Sequence, residues 1–134
     1  CPFHGDCLEG MAAGPAIQAR WGAGGEHLGA DVEAAVALEA WYLGTALADL
    51  ALVASPQRIV LGGGVMKLPG LLEAARERFL ECLGGYLPYR EVLDAASFIV
   101  RPGLGDRAGV LGAIALADAA RHAADGQPRR RPTR

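Results

Sequence analysis

The sequence predicts an α/β fold, with helices packed against a parallel sheet, and three observations predict it. Arg58-Ile59-Val60-Leu61 and Ser97-Phe98-Ile99-Val100-Arg101 are short apolar runs bounded by turn residues, the pattern of buried strands. Between and around them, apolar residues recur at helical spacing. Glycine clusters at 22–29, 62–64 and 84–85 separate the segments. Helices alternating with strands favour a parallel sheet. Two strands do not make a stable sheet alone, so the remaining strands are expected N-terminal to Cys1.

Taken in order, Cys7 to about Trp21 is helical but interrupted at Gly14-Pro15, where either a kink or a fresh helix with Pro15 near its first position is expected. The loop Gly22 to Gly29 ends that element. Asp31 is an N-cap candidate, and Val32, Val36, Leu43, Leu47 and Leu50 form an apolar stripe to about Val53. Ser55-Pro56 stops this helix and the first strand follows, running into Gly62-Gly63-Gly64. Pro69 opens the next helix, with Leu72, Ala75, Phe79 and Leu83 on one face and Gly84-Gly85 closing it. After the second strand Pro102 breaks the chain. Asp106 then caps a last helix whose Gly109, Gly112, Ala113 and Ala117 are small enough for close packing.

The 134 residues are one domain's worth, with 51% hydrophobic and 21% charged residues, a globular composition. A net charge of −2 removes the main electrostatic reason to expect nucleic-acid binding. Arg129, Arg130, Arg131 and Arg134 are the local exception, read as a flexible basic tail over 123–134. Three cysteines cannot all pair within one chain, which fits a reducing, cytoplasmic setting. No uninterrupted apolar run reaches the roughly 18 residues of a membrane span, so no membrane partner is expected. The absence of an initiator Met suggests a truncated start.

Residues 1–9, Cys1-Pro2-Phe3-His4-Gly5-Asp6-Cys7-Leu8-Glu9, read as a zinc-binding loop. Cys1, His4 and Cys7 are soft ligands at C-x-x-H-x-x-C spacing, and Pro2 and Gly5 help the backbone fold round an ion. Two ordinary cysteines and a surface histidine are the competing reading. A structural Zn²⁺ asks for about four N or S ligands, so one corner must come from elsewhere: His27, His122, Cys82 or a residue upstream. Cys82 itself reads as packing on a helical face.

Two readings stay open for Glu9. A carboxylate at a helix start is favoured by the macrodipole, and one fixed beside a rigid metal loop can also accept hydrogen bonds from a polyol. Leu61-Gly62-Gly63-Gly64-Val65-Met66, between strand and helix, can expose backbone N–H groups to a phosphate or admit a flat adenine. It is neither G-x-G-x-x-G nor a P-loop. No catalytic constellation is visible, since Asp6, Asp31 and Asp106 are explained as loop and cap residues.

The run from Cys1 to Gly10, with Ala13-Gly14-Pro15-Ala16-Ile17 and Ala19-Arg20-Trp21-Gly22, resembles the ROK family, specifically its bacterial fructokinase branch. Ile59 to Met66 is similar to the family's adenosine motif, and Pro102 to Ala113 to its C-terminal helix segment; the resemblance covers residues 1 to about 118. It implies the two-lobed actin-like (ribonuclease H-like) ATPase fold, with 10–122 as most of the C-terminal lobe and the N-terminal lobe missing. It further implies a zinc ligand contributed by a His from before the motif. Glu9 would contact sugar hydroxyls, and Gly62, Gly63, Gly64, Val65 and Met66 would hold the adenosine end of ATP, with Pro15 facing it too.

The phosphate-binding motifs and the base Asp of such kinases have no counterpart here. His4, where glucokinase and repressor branches use Cys, points to fructokinase. The expected activity is phosphorylation of fructose by Mg²⁺-ATP in a homodimeric whole protein, with the chain alone inactive. A glucose or mannose kinase, a sugar-responsive ROK repressor with an N-terminal helix-turn-helix, and a stand-alone zinc-stabilised module are the alternatives.

Overall fold

The computed structural model describes residues 1–124, in two units: Cys1–Arg101 and a second that begins at Pro102. The arginines of the basic tail lie outside the described residues.

In the first unit, Leu8–Ala12 forms α1 and Gly14–Trp21 forms α2. Ala13 between them is extended (φ −81°, ψ 158°), so the chain takes the fresh-helix alternative at Gly14-Pro15. A proline in the first turn lacks only an N–H that has no intrahelical acceptor anyway. Left-handed Gly22 closes α2, and two 3₁₀ turns follow, Gly25–His27 and Gly29–Asp31.

The second of these turns runs directly into α3, Val32–Ala54. Asp31 therefore does not cap it: its backbone is already helical (φ −85°, ψ −1°) and its side chain makes no capping bond. Helical hydrogen bonding already runs through this position, Asp31 N–H donating to the Leu28 carbonyl and Val32 N–H to that of Gly29, so the chain does not begin its helix at Asp31. Ser55, at φ 45°, ends α3 just before Pro56.

The buried face of α3 is built from Ala35, Ala40, Leu43, Leu47, Ala48 and Ala51, while Leu50 is exposed and Val32 and Val36 are only partly covered. Small residues win because a neighbouring helix, α4 (Leu71–Leu83), comes close. A Cβ on Gly44 would stand 2.6 Å from Arg78 Cβ and 2.9 Å from the Ala75 carbonyl oxygen. The segment Gly29–Ala54 is long and apolar enough, by length and composition, to cross a membrane, with a mean hydropathy of 1.5. In the fold Ala35, Ala40, Leu43, Leu47, Ala48 and Ala51 join Leu72, Ala75, Phe79 and Leu83 of α4 in the core, while Trp41, Leu50, Leu52 and Val53 are exposed.

Between α3 and α4 lie β1, Ile59–Val60, and a 3₁₀ turn, Gly64–Lys67. Helix α4 begins two residues after Pro69 because left-handed Gly70 occupies the N-cap position. The predicted face is the buried one, and left-handed Gly84 closes the helix as its composition implied. Two single-turn helices follow, α5 (Arg90–Leu93) and α6 (Ala95–Phe98), then β2, Ile99–Val100.

Ser97 and Phe98 thus belong to α6 rather than to the strand. The Asp94 carboxylate accepts from the Ser97 N–H at 3.3 Å, and Phe98 is drawn inward to stack on Phe79 at 5.7 Å. Local capping and aromatic burial override the strand propensity of the run. The strands pair in parallel, Ile59 with Ile99 and Val60 with Val100. Ile99 is fully buried, whereas Val60 is exposed, so β1 is not the buried strand its composition suggested.

In the second unit a 3₁₀ turn, Gly105–Arg107, leads into α7, Ala108–Ala124. Asp106 stands inside the turn instead of at the cap. Gly109, Gly112, Ala113 and Ala117 are exposed on α7, since this unit holds no second helix among its described residues.

Candidate functional site: a metal turn and a glycine-lined cleft

The sulfurs of Cys1 and Cys7 and a ring nitrogen of His4 lie within 4.8 Å of one another, the group of potential metal ligands found among the described residues. Cys1 Sγ is 3.6 Å from His4 Nδ1 and accepts the His4 backbone N–H at 3.3 Å. In a tetrahedron with Zn–S near 2.3 Å and Zn–N near 2.0–2.1 Å, the S–N edge is about 3.6 Å. The Cys1–His4 separation matches that edge, and all three cysteines of the chain are free. None of the internal candidates for a fourth ligand joins the group. His27 lines a separate cleft, His122 pairs with Asp118 at 3.5 Å within α7, and Cys82 is exposed, 3.7 Å from Thr45 Oγ1, rather than packed.

Packing against α1 shapes the turn. A Cβ on Gly10 would collide with the Gly5 carbonyl oxygen and stand 2.7 Å from the Gly5 carbonyl carbon and 2.8 Å from the Cys1 nitrogen. The absence of a side chain at Gly10 lets the loop lie flat on the helix it precedes. Glu9 is exposed in the first turn of α1, two residues past Cys7.

The second feature is an open cleft of about 720 Å³. One wall comes from the loop after α2, namely Gly24, Gly25, His27, Leu28 and Gly29, with Val32 of α3; the other is Gly64, Lys67, Leu68 and Pro69. Its volume is that of a small-molecule site. The glycine turn is held firmly: the Leu61 N–H donates to the Val100 carbonyl at 2.8 Å, and Arg101 Nη1 to the Met66 carbonyl at 2.6 Å.

Of the residues expected to face a nucleotide, Gly64 lines this cleft. Gly62 and Gly63 are exposed beside it in sequence, Val65 is half-buried, and Met66 points into the core. Pro15, exposed at the start of α2, and Glu9 are not among the lining residues. The opposite wall, Gly24 to Val32, escaped the sequence reading as a binding element. Its signal was the glycine cluster itself, which was read only as a loop.

A buried charge also escaped it. Glu39, in the middle of α3, is fully buried; its Oε1 accepts from Arg20 Nη1 at 2.9 Å and its Oε2 has no partner. Burial pushes the Glu39 carboxyl above its ordinary value, while the charge and hydrogen bond of Arg20 pull the other way. An acid on the apolar face between Ala35 and Leu43 was the available signal.

Several known proteins resemble this chain. It is 42% identical over 118 residues to a putative fructokinase of Bacillus subtilis, an alignment covering 87% of this chain and 39% of the relative. A fructokinase of Zymomonas mobilis is 46% identical over 121 residues, 90% of this chain and 39% of that protein. One of Streptococcus mutans is 41% identical over 118 residues, again 39% of its length. The chain thus spans about two-fifths of the length of the curated relatives it matches. The ROK family matches residues 1–120, nearly all of the described chain, and the chain belongs to the ROK family.

Proposed function

We propose that this chain is the C-terminal lobe of a two-lobed, actin-like sugar kinase, and that the whole protein transfers the γ-phosphoryl group of Mg²⁺-ATP to the 6-hydroxyl of fructose. The single observation that carries the reading is the cleft, where the glycine turn after β1 meets a second glycine-rich loop. Glycine main chain on both walls, at Gly24, Gly25 and Gly29 on one and Gly64 on the other, with the apolar side chains of Leu28, Val32, Leu68 and Pro69 between, suits a flat purine. The names of the relatives support the sugar, fructose, over glucose or mannose.

Within this reading Gly62 to Gly64 border the adenosine with Val65, Met66 supports the turn from the core, and Pro15 faces the nucleotide. Glu9 orients the sugar through hydrogen bonds from its hydroxyls. Cys1, His4 and Cys7 hold an architectural Zn²⁺, which when bound cross-links the turn and fixes the start of α1. No residue of this chain is assigned to Mg²⁺ or to the base that takes the hydroxyl proton; that base is an Asp outside residues 1–134. The whole protein is read as a cytoplasmic homodimer.

Two substitutions test the reading in the whole protein by fructose-dependent release of ADP. A Cβ at Gly64 meets open space, so Gly64→Val is expected to fold normally yet intrude on the cleft. Steric intrusion of about 1–3 kcal/mol corresponds to a rise of roughly fivefold to a hundredfold in KM for ATP. An unchanged KM for ATP would refute the cleft as the nucleotide site. Glu9→Gln is expected to raise KM for fructose and leave KM for ATP unaltered; equal effects on both would remove Glu9 from the sugar site.

A further inference from the structure

The segment that carries the metal ligands is poorly anchored by apolar packing. Ala12 is its buried hydrophobic residue, whereas Phe3 is 87% and Leu8 46% exposed. Yet α1 must hold a fixed position if Cys7 at its start and Glu9 in its first turn are to act in register with the rest of the site.

A polar connection supplies the anchor. Arg20 of α2 donates through Nη2 to the Met11 carbonyl in α1 at 3.0 Å and through Nη1 to Glu39 of α3 at 2.9 Å. Its guanidinium also lies 5.5 Å from the Tyr42 ring centre. Met11 in turn donates its N–H to the Cys7 carbonyl at 3.0 Å. A continuous path of hydrogen bonds therefore runs from the core helix through Arg20 and Met11 to the last metal ligand.

The Met11 carbonyl is one of those left without an intrahelical donor at a helix end, and a planar guanidinium can serve it and a carboxylate at once. Burying a charged pair is poor value for stability alone, because desolvation offsets the attraction. A fully buried Glu39 with one unpartnered oxygen is better explained by what it orients.

We propose that Arg20 and Glu39 are positioning residues, a latch that sets α1 and with it the metal-binding turn against α3. The inference rests on the zinc reading of Cys1, His4 and Cys7 for its consequence, though not for its geometry. The latch itself predicts order in α1 whether or not metal is present.

The test uses the 134-residue chain in two measurements, on Arg20→Lys and on the near-isosteric Glu39→Gln. In metal-free protein, amide exchange at Met11 and Ala13, both hydrogen-bonded within α1, is expected to quicken about tenfold, while amides of α3 and α4 exchange as in the parent. With zinc and a competing chelator, affinity is expected to fall about tenfold, the lower end of what partners outside the ligand set contribute. A purely structural pair would instead speed exchange throughout α3 and leave zinc affinity alone, and that result overturns the proposal. Unchanged exchange at Met11 and Ala13 in both variants also overturns it. A parent chain that binds no zinc would refute the metal reading and the latch's consequence for it, and the exchange data would still decide whether Arg20 and Glu39 order α1.

Discussion

Cys7→Ser is expected to abolish zinc binding by the turn in which Cys1, His4 and Cys7 are proposed as ligands. A serine hydroxyl replaces one of two thiolates in a three-ligand turn, and the ligand that binds zinc is the deprotonated sulfur. Zinc affinity should fall by roughly two orders of magnitude or more, because binding energy at such a site is also ordering energy for the loop that holds it. In the parent, adding EDTA should lower the melting temperature and speed proteolysis within residues 1–12; in Cys7→Ser neither should respond to chelator. Direct metal analysis checks the stoichiometry. A variant that retains zinc at the parent level, or a parent whose melting ignores EDTA, would rule out the metal turn. Cys82→Ser is the control: its sulfur is exposed on α4 near Thr45, outside the ligand group, so zinc content should not change.

Gly10→Ala tests the same site without touching a ligand. The added methyl meets the Gly5 carbonyl and the Cys1 nitrogen, which are backbone atoms and cannot swing aside as a flexible side chain would. Overpacking of this kind costs about 1–3 kcal/mol. Here it acts where the loop rests on α1, some distance in sequence from the α3–α4 core. The expected result is a zinc affinity reduced roughly fivefold to a hundredfold with helical content retained, measured by chelator competition and circular dichroism on the same sample. Parent-like affinity would mean that the loop does not rest on α1 as described.

Local rules made much of this fold legible. The face Leu72, Ala75, Phe79, Leu83 and the closure at Gly84 follow from spacing and from the left-handed geometry glycine tolerates. The clustering of Cys1, His4 and Cys7 was legible for the same reason, since the three fall within seven consecutive residues. What spacing could not reveal was long-range. The small residues of α3 are buried because α4 approaches at Gly44, and nothing local distinguishes Ala48 from the exposed Leu50. Asp31 and Pro69 look like helix starts, but a preceding 3₁₀ turn satisfies the backbone in one case and Gly70 sets the boundary in the other. The cleft joins two segments some forty residues apart, and Glu39 is explained only by an arginine nineteen positions earlier.

The make-up of the cleft has an evolutionary consequence. Gly24, Gly25, Gly29 and Gly64 contribute no side chain to it, so substitution at those four positions can only add bulk. Divergence among descendants of this surface then falls to the side chains that do line it, His27, Leu28, Val32, Lys67, Leu68 and Pro69, or to insertions that reroute the peptide itself.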